Sequence, residues 1–219
     1  RTITFGRRKN TDLYLVDHTL QAGHQHVVFT GFGKTYTFDT QIAGGFQIMN
    51  LLCAMALCTT AGLTLDQMVT NMSSIVPPPG RLESSAGHPN GAYIYVDYAH
   101  KPDALLNVLQ SLRAHDPRRL SVVFGCGGDR DAGKRPLMGE IAAQHADDIT
   151  ITDDNPRGEN PATIRSAILN GAKSANTPAH IHEIANRRTA IETAIKSLQS
   201  GDILVIAGKG HEQGQTFAD

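Results

Sequence analysis

Leu120-Ser121-Val122-Val123-Phe124, followed at once by Gly125-Cys126-Gly127-Gly128-Asp129-Arg130-Asp131, is a short apolar run that breaks into a glycine-rich polar turn. Five residues are too few for a stable helix, and β-branched and aromatic side chains favour a strand. The same unit recurs on both sides. Candidate strands lie at Tyr93 to Val96, Ile149 to Thr152, His180 to Ile184 and Ile203 to Ala207. Between them run helical stripes, Leu105, Leu109 and Leu112 after Pro102, and Ile164, Ile168 and Gly171 after Pro161. Strand, turn and helix repeated at this spacing predict an α/β fold built on an open, mostly parallel sheet with flanking helices.

Upstream the pattern differs. From Thr2 to Thr40 short alternating stretches, with Gly31-Phe32-Gly33-Lys34 as a turn, predict two or three antiparallel strands. Phe46 to Thr60 is apolar and alanine-rich and closes at Gly62, a helix pattern. Thr64-Leu65-Asp66-Gln67 then reads as a capping box opening a second helix to about Ile75. Pro77-Pro78-Pro79-Gly80 cannot donate to a ladder and stiffens the path, which predicts two domains, residues 1–80 and 81–219.

Composition narrows the function. The formal net charge of the 219 residues is −1, with Lys and Arg spread along the chain, so the electrostatic footprint of a nucleic-acid binder is missing. Cys53, Cys58 and Cys126 form no CxxC pair, which predicts a reducing, cytoplasmic setting. No apolar run approaches the roughly 18 residues of a membrane span, and no basic-then-apolar leader is expected. The opening Arg1-Thr2-Ile3 reads as the start of an excised piece.

In an open α/β sheet ligands bind at the carboxyl edge, where strands give way to loops. Four predicted strands end there in unusual polar turns: Asp97-Tyr98-Ala99-His100-Lys101, Gly125 to Asp131, Asp153-Asp154-Asn155-Pro156-Arg157, and Gly208-Lys209-Gly210-His211-Glu212. Each also has an ordinary structural reading: Asp97 as a helix cap, the glycine run as a tight turn lacking the third glycine of GxGxxG, Asn155-Pro156 as a turn pair. Arg157 and Arg130 suit bidentate binding of a carboxylate, and Asp154 and Glu212 supply the opposite sign. Two guanidiniums and two carboxylates match a zwitterionic amino acid better than a nucleotide or a sugar. Cys126, with no base beside it, reads as a small buried residue, and His100 and His211 as hydrogen-bonded scaffold more often than bases.

Together these residues resemble the Mur ligase family, over nearly the whole chain. Asp154-Asn155-Pro156-Arg157 is similar to that family's meso-diaminopimelate recognition motif, and by the same resemblance Arg130, Gly208 and Glu212 join it, the arginines holding the distal carboxylate and Glu212 the distal ammonium. Gly45 to Asn50 resembles the helix-opening segment in which Asn50 approaches adenine, Gly80-Arg81-Leu82-Glu83 supplies Arg81 for ATP, and Asp97 takes the ribose hydroxyls. Gln47 stands where many members have asparagine, and Lys101 where threonine is usual. The resemblance implies the end of a central ATPase domain followed by most of a Rossmann-like C-terminal domain. The activity it implies is ATP-dependent ligation of meso-diaminopimelate to a UDP-muramoyl dipeptide through an acyl phosphate, by a monomer.

No GxxxxGK[ST] loop occurs, and Lys34, with Gly31 and Gly33 before it and Thr35 after, lacks the spacing. The family's phosphate loop, its Mg2+ ligands, its modified lysine and its UDP-binding domain are therefore expected upstream. No catalytic residue and no metal ligand is assigned within these residues, and the piece alone is expected to be inactive. Two other readings stay open: a folylpolyglutamate synthetase-like ligase, against which the Asp154–Arg157 turn argues, and a non-catalytic amino-acid-binding module.

Overall fold

Between Pro77 and Pro78 the chain passes from one folded unit, residues 1–77, to another, residues 78–219. The structure, a computed structural model, describes residues 2–21, 24–85 and 87–217.

In the first unit β2 (Leu13–Gln21), β3 (His24–Gly31) and β4 (Lys34–Thr40) pair antiparallel, while a two-residue strand, β1 (Phe5–Gly6), lies parallel to β2. Along β3 burial alternates with the pleat, Gln25, Val27 and Phe29 inward and their neighbours half-exposed. That inner face is covered by α1 (Gly45–Thr60), whose Ile48, Leu51, Leu52 and Met55 recur at the spacing of one helical face and join Leu13, Phe29 and Phe38 in one core. Each such side chain, fully buried, contributes about 1.5–3 kcal/mol. The capping box at Thr64 is present, with the Gln67 N–H donating to Thr64 Oγ1 at 3.3 Å and the Thr64 N–H to Gln67 Oε1 at 2.9 Å. The helix it opens, α2 (Leu65–Val69), stops well short of Ile75, and a 3-10 turn, Met72–Ser74, follows. Thr70 Oγ1 and Asn71 Nδ2 take the Asp66 and Gln67 carbonyls that further helical N–H groups would need. Lys34 opens β4 and pairs with Asp66 at 2.5 Å.

The second unit is a six-stranded sheet made of β5 (Glu83–Ser84), β6 (Tyr93–Asp97), β7 (Leu120–Phe124), β8 (Asp148–Ile151), β9 (His180–Glu183) and β10 (Ile203–Ala207), in the order β5-β6-β10-β7-β8-β9. Only the edge strand β5 runs antiparallel. The helices are α3 (Pro102–Arg113), α4 (Lys134–His145), α5 (Pro161–Ser174) and α6 (Arg187–Lys196). Helices α3, α4 and α5 pack in series, and α6 packs on β7, β8 and β10. Ile94, Val123 and Leu204, one each from β6, β7 and β10, meet Ala190 and Ala194 of α6. Gly171 of the α5 stripe is there for space, since a Cβ would run into the Pro136 backbone of α4.

At the amino edge Asp202, fully buried, binds Arg118 Nε and Nη2 at 3.0 and 3.1 Å, Arg119 Nη2 at 3.1 Å and the Gln199 N–H at 2.9 Å. This ties the start of β10 to the start of β7. Among the described residues no helix is long and apolar enough to cross a membrane.

Candidate functional site

Because β6, β7, β8 and β10 are parallel, their carboxyl ends share one edge, and the turns that follow them line a cleft of about 740 Å³. Arg130, Asp154, Asn155, Arg157, Gly208 and Glu212 all line it, as do Tyr98, His100, Lys101 and Lys134. Pro156, Asp97 and Arg81 do not, and Asn50 belongs to the other unit, exposed on α1 with its amide donating to Gln47 Oε1 at 2.7 Å.

The glycine run serves the approach of two loops. At Gly128 a Cβ would overlap the Pro156 carbonyl, and at Gly125 it would overlap the Thr152 carbonyl oxygen. The bare backbone lets the Gly128 N–H donate to the Asn155 oxygen at 2.8 Å, while Arg157 Nη1 returns to the Gly128 oxygen at 2.9 Å. Asp129 and Arg157 both hold left-handed backbone, φ 51° and 52°. Such a conformation costs an ordinary residue about 1–2 kcal/mol. Surrounding bonds hold it: the Asp129 N–H donates to Glu159 Oε1 at 2.6 Å, the Gly158 N–H to Asp129 Oδ2 at 2.9 Å, and Arg135 grips both oxygens of Glu159 at 2.7 and 2.9 Å. That grip, with the Asp129 N–H, holds the Glu159 carboxyl below its usual range. Arg130 is exposed on the same loop.

Within the cleft wall Asp154 and Asn155 are largely buried. Asp154 Oδ1 accepts the Asn155 N–H at 2.8 Å, and Arg187 Nη1 and Lys209 Nζ lie 3.9 and 4.0 Å from its carboxylate. Lys209 Nζ donates to Asn155 Oδ1 at 2.9 Å and to Glu212 Oε2 at 3.2 Å, and Asn155 Nδ2 reaches the same Glu212 oxygen at 3.3 Å. Burial pushes the Glu212 carboxyl up, but bonds from Lys209, Asn155 and Tyr98 outweigh it and leave the group below its ordinary value. The segment Gln215–Phe217 runs along this turn: Gln215 Nε2 donates to the Asp154 oxygen at 2.6 Å, the Thr216 N–H to Asn155 Oδ1 at 2.8 Å, and the Arg157 N–H to the Thr216 oxygen at 3.1 Å.

Asp97 does not cap α3, whose N-cap is Lys101 with no side-chain bond. Its two oxygens instead accept the N–H groups of Leu82 and Ala99, each at 2.7 Å, which fastens the Gly80–Leu82 turn to the end of β6. Burial raises its carboxyl above the usual range against those two bonds and the charge of Arg81. The Arg81 guanidinium lies 4.7 Å over the Tyr98 ring, which His100 flanks at 4.6 Å and His211 at 5.8 Å. His100 Nδ1 lies 2.9 Å from the Tyr98 oxygen. The Cys126 thiol, 3% exposed, is pushed by burial up to about 12, so it carries no thiolate near neutral pH.

Sequence reasoning gave no role to Lys209 or Arg187. The signal for Lys209 was present: a lysine between two glycines in a strand-end turn, three residues before an acid. Arg187 carried none, because α6 reaches the cleft wall only through tertiary packing; there Nη2 donates to the Ala207 oxygen at 2.8 Å.

The chain spans less than half the length of the curated relatives it matches. It is 48% identical over 217 residues to the UDP-N-acetylmuramoyl-L-alanyl-D-glutamate–2,6-diaminopimelate ligase of Chelativorans sp., covering 99% of this chain and 43% of that protein. To the ligase of the same name from Bradyrhizobium diazoefficiens it is 52% identical over 183 residues, 84% of this chain and 36% of that one. A solved structure of a ligase of this name superposes with a TM-score of 0.69 at 35% identity, covering 98% of this chain and 44% of that one. Mycobacterium tuberculosis folylpolyglutamate synthase complexed with ADP and AMPPCP shares the fold, with a TM-score of 0.71 at 22% identity over 91% of this chain and 46% of that one. Residues 80–210 match the Mur ligase, glutamate ligase domain. The loops that build the cleft are thus carried on the domain of a known group of enzymes, and the chain belongs to the Mur ligase family.

Proposed function

We propose that the protein to which this chain belongs is a cytoplasmic, monomeric ligase that joins meso-diaminopimelate to UDP-N-acetylmuramoyl-L-alanyl-D-glutamate at the expense of ATP, and that the cleft holds the amino acid. The observation that carries the reading is the presence of Arg130 and Arg157 with Asp154 and Glu212 around one cleft at the carboxyl edge. In this reading the two guanidiniums receive the distal carboxylate, and Glu212 receives the distal ammonium. Asp154, Asn155 and Gly208 shape the wall between them, and Pro156 belongs to the turn that carries Asn155 and Arg157.

The role of these residues is orientation. An amino acid held at its distal end presents its reacting amine in a fixed place, and fixed placement lowers a barrier by up to several kcal/mol. Selectivity has the same origin. L-Lysine lacks the distal carboxylate and would leave arginine donors unpaired, at a cost of about 1–3 kcal/mol.

For ATP we propose Asn50, Arg81 and Asp97. Support comes from the Asp97 carboxylate, which accepts the N–H of Leu82 at 2.7 Å and so fixes the backbone beside Arg81. Mg2+ is proposed as the companion of ATP. We assign its ligands to the remainder of the longer protein. The test is steady-state kinetics of the full-length enzyme with meso-diaminopimelate and with L-lysine. Arg157→Ala is expected to raise KM for diaminopimelate at least about tenfold, the equivalent of 1.4 kcal/mol. Unchanged kinetics would sink the assignment.

A further inference from the structure

Lys209 is 8% exposed and is not among the residues lining the cleft, yet its ammonium joins two side chains that are. Its backbone setting is tightly defined. The N–H groups of Gly208 and Gly210 both donate to the Asp97 oxygen, at 3.1 and 3.2 Å, which clamps the turn after β10 to the end of β6. From that clamp Nζ meets Asn155 Oδ1 on the turn after β8 and Glu212 Oε2 on its own turn. Asn155 Oδ1 also accepts the Thr216 N–H, and Nδ2 donates to Glu212, so no atom of that amide can rotate without breaking a bond.

Burying an ammonium is expensive, and a buried ion pair contributes little to stability compared with an apolar pair of the same shape. Stability alone gives no reason for a lysine here. Its partners do: Glu212 is the group proposed above for the ammonium end of the amino acid, and Asn155 is hydrogen-bonded to it in the same wall. Resting on the function proposed above, we infer that Lys209 is a positioning residue, holding Asn155 and Glu212 in the arrangement that receives the distal ammonium group while remaining outside the cleft itself. Arg187, behind Asp154, supplies a second fixed positive charge on the same wall.

The test uses the full-length enzyme, with initial rates measured while meso-diaminopimelate, ATP and the UDP-muramoyl dipeptide are varied in turn. Lys209→Met should raise KM for diaminopimelate by about tenfold or more, with the other two KM values within about twofold. In a Glu212→Gln background the same change should add less than about twofold, because both substitutions remove one unit. Equal rises in all three KM values, or effects that multiply in the double variant, would overturn the inference. So would an unchanged KM in Lys209→Met beside a raised one in Glu212→Gln. If Glu212→Gln and Arg157→Ala leave KM for diaminopimelate unaltered, the amino-acid reading itself falls, and this inference with it. Should Lys209→Met fail to fold, Lys209→Gln carries the same measurement, and failure of both to fold would make the lysine structural and overturn the positioning role.

Discussion

The Arg157 guanidinium donates to the Gly128 carbonyl oxygen at 2.9 Å, so a side chain on the turn after β8 takes its place from the backbone of the turn after β7. Moving either turn moves the arginine. Gly128→Ala sets a methyl against the Pro156 carbonyl group, whose carbon lies 2.8 Å from that Cβ position. Backbone cannot give way as a flexible side chain can, and overpacking of this kind costs about 1–3 kcal/mol. We expect a lower urea midpoint together with weaker use of diaminopimelate; a variant as stable as the parent would show that the two turns have freedom to separate.

Arg157→Gly separates stability from recognition. Glycine relieves a left-handed backbone that costs an ordinary residue about 1–2 kcal/mol. The guanidinium bonds that vanish with the side chain are worth about as much, roughly 0.5–1.5 kcal/mol each. Denaturant unfolding should therefore change by no more than about 1 kcal/mol, while diaminopimelate use falls as for Arg157→Ala. A large loss of stability would mean that the side chain is needed mainly to hold the two loops together.

Asp202 gives the domain an acid-sensitive joint. Burial pushes its carboxyl up, but the Gln199 N–H and the two arginines outweigh burial and hold it below the ordinary 3.8. A carboxyl depressed in the folded state contributes stability above its unfolded value and loses it as pH falls through the folded one. The contribution of Asp202 should thus be complete at neutral pH and decline below about pH 4. Asp202→Asn should cost about 1.5–3 kcal/mol at pH 7, and the gap to the parent should narrow in acid. Chemical denaturation at several pH values reads this directly; a gap that does not vary with pH would assign the cost to packing.

Much of the second unit was legible because its signals are local. The strands Leu120–Phe124 and Ile203–Ala207 stand where their apolar runs predict them, and the Thr64 capping box forms as written. Strand ends drifted by a residue where the last position turned to other duty: Thr152, read as strand, sends its hydroxyl to the Ala185 oxygen at 3.1 Å. The second helix of the first unit was read too long, because Thr70 and Asn71 compete for its carbonyls. What no local pattern could show is which groups meet across the sheet. The capping reading of Asp97 fails because the distant Leu82 N–H and the nearby Ala99 N–H claim the carboxylate, and the glycine run owes its composition to a loop some 28 residues further on, a closeness that exists only after the sheet has formed. The burial of Lys209 and Arg187 is likewise a property of their neighbours.

The place of β10 between β6 and β7 has a temporal consequence. The strand that completes the middle of the sheet is the last of the six to leave the ribosome, so β6 and β7 cannot be joined through it until residue 207 has been made. Closing contacts between segments so far apart in sequence is entropically slow. Until then the flanks of β6 and β7 are open edges, of the kind that invites pairing with other chains. The cleft, which needs turns from all four strands, is therefore completed in one late event of folding.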